Sequence, residues 1–123
     1  MKRAGQIALM PFPFTDLTHS KKRPVLLLRR LDHARDDWLV CMISSRLHQT
    51  APGLDWVLMS EAEEFAVSGL KVSSVFRLSR VAVLDGVLLL GSMGTVTEAR
   101  LYDLRRRLSR WIACEADEEG TPA

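Results

Sequence analysis

A guanidinium at the mouth of a strand is the first group in this sequence suited to chemistry. Arg23 follows Lys21 and Lys22 and precedes Pro24, and the apolar run Val25-Leu26-Leu27-Leu28 comes directly after. Such a run reads as a strand buried on both faces. Arg23 therefore stands where a rigid element meets a polar, basic loop, a common setting for a site. A guanidinium forks onto two phosphate oxygens and keeps its charge. With a pKa above about 12 it stabilises charge and is a poor general base. The same loop holds His19, whose ordinary pKa suits proton transfer. It also holds Asp16, a carboxylate able to orient Arg23 or His19, or simply to form an Asx turn after Thr15. Lys21, Lys22 and Arg46 would contact phosphates. Taken one at a time, each is equally well read as a solvated surface residue.

The charge is unevenly spread. Residues 1–60 carry nine Lys/Arg against five Asp/Glu, a balance of +4, and residues 61–123 carry eight against ten, a balance of −2. A positive field beside a loop suits an anionic partner such as RNA. On charge alone, a mixed-charge surface serves as well. The 123 residues make one domain by length, long enough for a core without staples. The longest apolar runs fall far short of a membrane span, and Met1-Lys2-Arg3 is not followed by a signal-type apolar core. The reading is a cytoplasmic protein. Cys41 in an apolar strand and Cys114 near a helix end fit reduced thiols, without the spacing of a metal site.

The elements that must position these residues follow in order. Gly5 to Met10 reads as a strand that Pro11 and Pro13 should stop. Residues 15–22 read as a loop, Pro24 to Leu31 as a central strand, and Trp38 to Ile43 as a third. Ser44 to Gly53 is a polar connection with a Pro-Gly stop. Asp55 to Met59 is a short strand. Ser60 with Glu63 suggests a capped helical turn. Ser68-Gly69-Leu70 is a turn. Val72 to Leu84 is one long strand or two short ones, and Val87 to Leu90 another after the Asp85-Gly86 turn. Thr95 with Glu98 suggests a second capping box. Beyond it Val96, Leu101, Leu104, Leu108, Trp111 and Ile112 recur at helical spacing, with Arg105, Arg106, Arg107 and Arg110 mostly outward. Trp111 is thereby assigned to the core, and Trp56 to packing before base stacking. The acidic segment 115–123 lacks a core-forming pattern and reads as a disordered tail on a domain of residues 1–114. The expected class is mainly β, a small barrel or compact sheet capped by one terminal helix.

These pieces together resemble the MazF/PemK/Kid toxins. The likeness is carried by Gly5-x-Ile7, Phe12-Pro13-Phe14-Thr15-Asp16, Lys22-Arg23-Pro24, Ile43-Ser44-Ser45, Ser68-Gly69-Leu70 and Gly94-Thr95, in that order. It covers roughly residues 3 to 113. The resemblance implies an SH3-like barrel of the CcdB/PemK type with a C-terminal helix, a homodimer, and a cognate antitoxin that covers the RNA site. It also implies an endoribonuclease that needs no metal or other cofactor and cuts single-stranded mRNA. DNA would be met only through the antitoxin complex.

RNA brings its own nucleophile, the 2′-hydroxyl. Such an enzyme must help deprotonate it, stabilise the phosphorane and protonate the leaving 5′-oxygen. The products are a 2′,3′-cyclic phosphate and a 5′-hydroxyl. Ser44 matches the family's catalytic Thr/Ser position at the end of the third strand, and Ser45 is a weaker version of the same match. The Kid branch uses a His in the loop where His19 stands. That branch also has an Asp on a later strand, and here Ser73 or Ser74 takes its place, which leaves Ser74 an RNA contact at most. Two rival readings keep the fold. A CcdB-like toxin would bind DNA gyrase through a terminal helix, here ending Trp111-Ile112-Ala113. A plain SH3-like module would do neither.

Overall fold

The computed structural model describes residues 2–13 and 20–114. Asp16, His19 and the acidic segment 115–123 lie outside these residues, as does the side chain of Lys21. Six strands form one sheet: β1 (Gln6–Pro13), β2 (Ser20–Arg30), β3 (Asp37–Ser44), β4 (Trp56–Leu58), β5 (Ser74–Asp85) and β6 (Gly91–Thr95). Their order across the sheet is β4-β5-β3-β2-β1-β6, and every pairing is antiparallel. The sheet is curled into a half-barrel. A one-turn helix, α1 (Phe65–Ser68), and a long helix, α2 (Glu98–Ile112), complete it.

The central strands are packed on both faces. From β2, Leu26 and Leu28 join Ile7, Cys41, Ile43, Phe76, Leu104 and Leu108 under α2. Val25 and Leu27 join Met10, Phe12, Trp38, Val40 and Met42 on the opposite face. A period-2 strand with apolar residues at every position has no other way to satisfy them. Each fully buried Leu contributes about 1.5–3 kcal/mol. The strand β5 serves both clusters. Cys41 pairs with Val81 but Met42 pairs with Arg77, so three extra residues interrupt the ladder. An odd insertion flips the faces. Leu78 thus packs under α2, while Ala82 and Leu84 pack on the other side.

Several boundaries depart from the sequence reading. The strand β1 continues through both prolines to Pro13, paired with Ser20. The Leu9 carbonyl accepts from Leu90 N (2.8 Å), so Leu9, Pro11 and Pro13 point their main-chain groups away from β2. The missing proline donors therefore interrupt nothing. Lys21 and Lys22 lie on β2, not on a loop. The helical cap is Thr97, whose hydroxyl accepts from Arg100 N (3.0 Å); Thr95 instead donates to the Gly5 carbonyl. The expected Ser60 cap is absent, since α1 starts at Phe65 without a side-chain cap. Residues 86–88 form a 3₁₀ turn rather than a strand. Trp111 is 56% exposed, not core; on α2 the buried stripe consists of Leu104 and Leu108.

Both thiols are free. Burial pushes the Cys41 thiol up to about 12, whereas Cys114 is exposed. A thiol reagent should therefore titrate one cysteine in the native protein and two in denaturant. Two fast-reacting thiols under native conditions would contradict the packing around Cys41.

Candidate functional site

The last pair between β2 and β3 is Val25↔Met42. Pro24 has no N–H to extend the ladder, and the strands part there. Carrying the same register two residues further sets Arg23 opposite Ser44. By alternation both side chains leave the sheet on the face of Val25 and Met42. Arg23 and Ser44 do line one cleft of about 290 Å³. Lys22, Ser45 and Ser74 line it as well.

The hydroxyls differ in what they have left to give. Ser44 is buried, and its Oγ accepts from Arg46 N (3.0 Å). Its own proton stays available to a ligand oxygen, and the accepted bond holds its rotamer. Ser74 Oγ donates to the Val72 carbonyl (2.8 Å), so its proton is committed and only its lone pairs face the cleft. Ser73, the other residue at the position of the family's Asp, accepts from Ser60 N (2.8 Å). Half-buried Arg23 has its Nε turned inward. Arg46 is exposed and is not among the cleft-lining residues. His48 is exposed on the 3₁₀ turn Leu47–Gln49.

Sequence reasoning missed the opposite wall, which is made by Leu70, Lys71, Val72 and Met93. Two close backbone approaches fix it. Gly69 has φ +72°, and a Cβ there would fall onto the Met93 carbonyl. A Cβ on Gly94 would meet the Ser68 backbone. The turn after α1 is thus pressed onto β6 where only glycine fits. The legible signal was the pair Gly69 and Gly94, the first read as part of a turn and the second only as part of the family pattern, and neither as a contact.

Asp55 was read only as the start of a strand. Its side chain is fully buried, taking bonds from Ala51 N (2.9 Å), Ser79 N (2.9 Å) and Ser79 Oγ (3.0 Å). Arg77 Nε lies 3.5 Å away, an ion pair too long and misaligned for a hydrogen bond at that atom. Arg77 also donates to Gln49 Oε1 (3.2 Å). This network anchors the connection that starts at Ser45. A second anchor joins α2 to the segment before α1: Arg100 forks onto Glu64 (2.9 and 2.7 Å) and stacks over Trp56, 4.2 Å from its centroid. The hydrogen bonds from Arg100 hold the Glu64 carboxyl below its usual range.

A curled six-stranded half-barrel with one long terminal helix and a cleft holding Arg23 and Ser44 fits a small toxin fold. The chain belongs to the PemK-like, MazF-like toxins of type II toxin–antitoxin systems, matched over residues 3–112. Among solved structures it is similar to the Mycobacterium tuberculosis toxin MazF-mt6, with a TM-score of 0.62 and 17% identity. That match covers 86% of this chain and 96% of the other. It is also similar to an endoribonuclease in complex with its cognate antitoxin from a mycobacterial species, with a TM-score of 0.65 and 12% identity. There the coverage is 99% and 100%. At such identities the likeness is one of fold. No curated protein matches the chain.

Asp55→Ala should lower stability by about 3 kcal/mol in urea unfolding, since it strands Arg77 and three donors. A loss under about 1 kcal/mol would show that the network holds nothing in place.

Proposed function

We propose that this protein is the toxin of a type II pair and a metal-independent endoribonuclease acting on single-stranded RNA. The observation that carries this reading is the shared cleft of Arg23 and Ser44, built where the β2–β3 ladder ends. In the proposed reaction the 2′-oxygen attacks phosphorus and the P–O5′ bond breaks. Arg23 holds the non-bridging oxygens and offsets the charge that grows on the phosphorane. Ser44 donates its free proton to one of those oxygens. The 2′-hydroxyl proton passes to a base, and an acid returns one to the 5′-oxygen, leaving a 2′,3′-cyclic phosphate and a 5′-hydroxyl. By resemblance to the Kid branch, His19 is the proton carrier; Asp16, from the same loop, supplies a carboxylate that orients Arg23 or His19. Lys21, Lys22, Ser45 and Arg46 contact the strand on either side, and Ser74 accepts a bond from it.

The proposed partners are a cognate antitoxin that covers this cleft and a second copy of the chain. Exposed Val81 and Val83 on β5, with Val87 and Leu90 beyond it, offer an apolar surface for that copy. The proposed compartment is the cytoplasm. A second reading, a gyrase-binding toxin without catalysis, is favoured by exposed Trp111 and Ile112 at the end of α2.

Incubation with a long RNA in EDTA should yield cyclic-phosphate ends. Arg23→Ala should abolish cutting while leaving the circular dichroism spectrum and urea midpoint close to wild type. Ser44→Ala should slow it about 10- to 100-fold, the loss of one aimed donor worth about 1–3 kcal/mol. An unfolded Arg23→Ala would make that residue structural and withdraw the assignment. Intact RNA together with stalled gyrase would favour the second reading. Sedimentation should show a concentration-dependent dimer, and a monomer alone at high concentration would exclude the second copy.

A further inference from the structure

We propose that the protein has a second contact for single-stranded nucleic acid, in the cleft between the last turn of α2 and the Ala51–Leu54 turn. A base would stack on Trp111 while Arg110 meets the adjoining phosphate. The inference rests on the nuclease reading for the direction from which the strand arrives. The cleft measures about 400 Å³, within the range of roughly 300–1,000 Å³ that takes small ligands. Pro52 and Gly53 line one wall, and Arg110, Trp111 and Cys114 the other.

Of the side chains there, Arg107 is bonded to Asp103 and the Asp55 carbonyl, whereas Arg110 and Trp111 are not committed elsewhere among the described residues. Trp38 and Trp56 are 4% and 8% exposed, so Trp111 at 56% is the one tryptophan able to stack on a ligand. The Trp38 indole already donates to Asp36 (2.8 Å), and Trp56 lies under Arg100. The five arginines of α2 divide in the same way: three are bonded, while among the described residues exposed Arg106 and Arg110 are not, and Arg110 is the one of the two that lines this cleft. Arg100 serves Glu64 and Asp103, Arg105 the Leu28 carbonyl, and Arg107 Asp103 and the Asp55 carbonyl. Arg110 has no such bond among the described residues, and none of the described residues lining its cleft is a carboxylate. An aromatic face beside an unspent guanidinium is the chemistry of base stacking with phosphate contact.

Continuity with the first cleft gives the occupant. The chain runs from Ser45, in that cleft, to Ala51 and Pro52, in this one. Residues 45–54 contain no Asp or Glu, and Arg46 and His48 are exposed along them. Seven residues span at most about 25 Å. A short oligonucleotide leaving Arg23 along this basic connection reaches Trp111 without crossing an acidic side chain of that segment.

The test is tryptophan emission of the full-length protein, titrated with a short oligodeoxynucleotide of mixed sequence. Lacking a 2′-hydroxyl, the probe cannot be cut. Saturable quenching is expected, lost in Trp111→Leu. Trp111→Phe should lose the signal yet keep affinity by competition. Arg110→Ala should weaken binding severalfold and reduce the salt slope by about one. Quenching that survives Trp111→Leu, or Arg110→Ala with unchanged affinity and slope, overturns the proposal. So does quenching by polyglutamate and not by the oligonucleotide, which would make the cleft an acidic-peptide site. RNA cleavage measured in parallel separates the two claims. Cut RNA without a Trp111 signal sinks this contact alone, and a Trp111 signal without cutting sinks the nuclease reading alone.

Discussion

Everything in this molecule depends on the point where β2 and β3 stop pairing. Up to Val25↔Met42 the two strands are buried on both faces, and nothing polar fits between the two clusters. One residue further, Pro24 withholds the donor that would continue the ladder. The pairing ends, and two residues beyond Val25↔Met42 in register stand a cation and a hydroxyl. The same apolar packing that excludes chemistry from the sheet interior fixes where that chemistry can begin. A strand pair buried to its last rung is stiff, so Arg23 and Ser44 inherit the precision of the core.

The facing wall is held in part by different physics. The core holds this wall at Leu70 and Met93, and Lys71 and Val72 stand outside it. Their place is set by backbone contact at Gly69 and Gly94 and by the Ser74 bond to the Val72 carbonyl. Such approaches tolerate no Cβ, and they leave the neighbouring side chains unconstrained. Lys22, Ser45, Lys71 and Val72 are all exposed on the rim. A fixed main chain carrying free side chains is an arrangement in which recognition can change without disturbing the fold.

How much of this could be read from the residues depended on whether the signal was local. The apolar runs of β2 and β3 identified central strands, while Arg23 and Ser44, which line one cleft, were singled out through the ordered set of short motifs rather than by the Arg-Pro step or the serine alone. Each run and each motif is a property of a few consecutive residues. What failed was set by partners distant in sequence. Pro11 and Pro13 look like strand breakers until Leu90 shows which way Leu9 points its carbonyl. Thr95 resembles a cap until its hydroxyl is taken by Gly5, leaving the role to Thr97. Trp111 keeps the helical period of the core, yet it is exposed beside the Ala51–Leu54 turn, which the period of the helix alone does not reveal. Asp55 looked like a strand end because its donors come from Ala51 and Ser79.

The arginines of α2 show why composition alone could not separate structure from function here. Arg100, Arg105, Arg106, Arg107 and Arg110 are the same side chain on the same helix, and periodicity places most of them outward. Three are consumed. Arg100 ties the helix to Glu64, Arg105 satisfies a β2 carbonyl, and Arg107 reaches the main chain at Asp55. These bonds cap carbonyls and balance carboxylates, and the net positive charge they bring to the surface is small. Arg106 and Arg110 meet no carbonyl or carboxylate of the described residues, and Arg110 lines the cleft beside Trp111. A guanidinium is free to act on a ligand when the fold has given it no other bond, and of these two Arg110 is the one that has an aromatic face beside it.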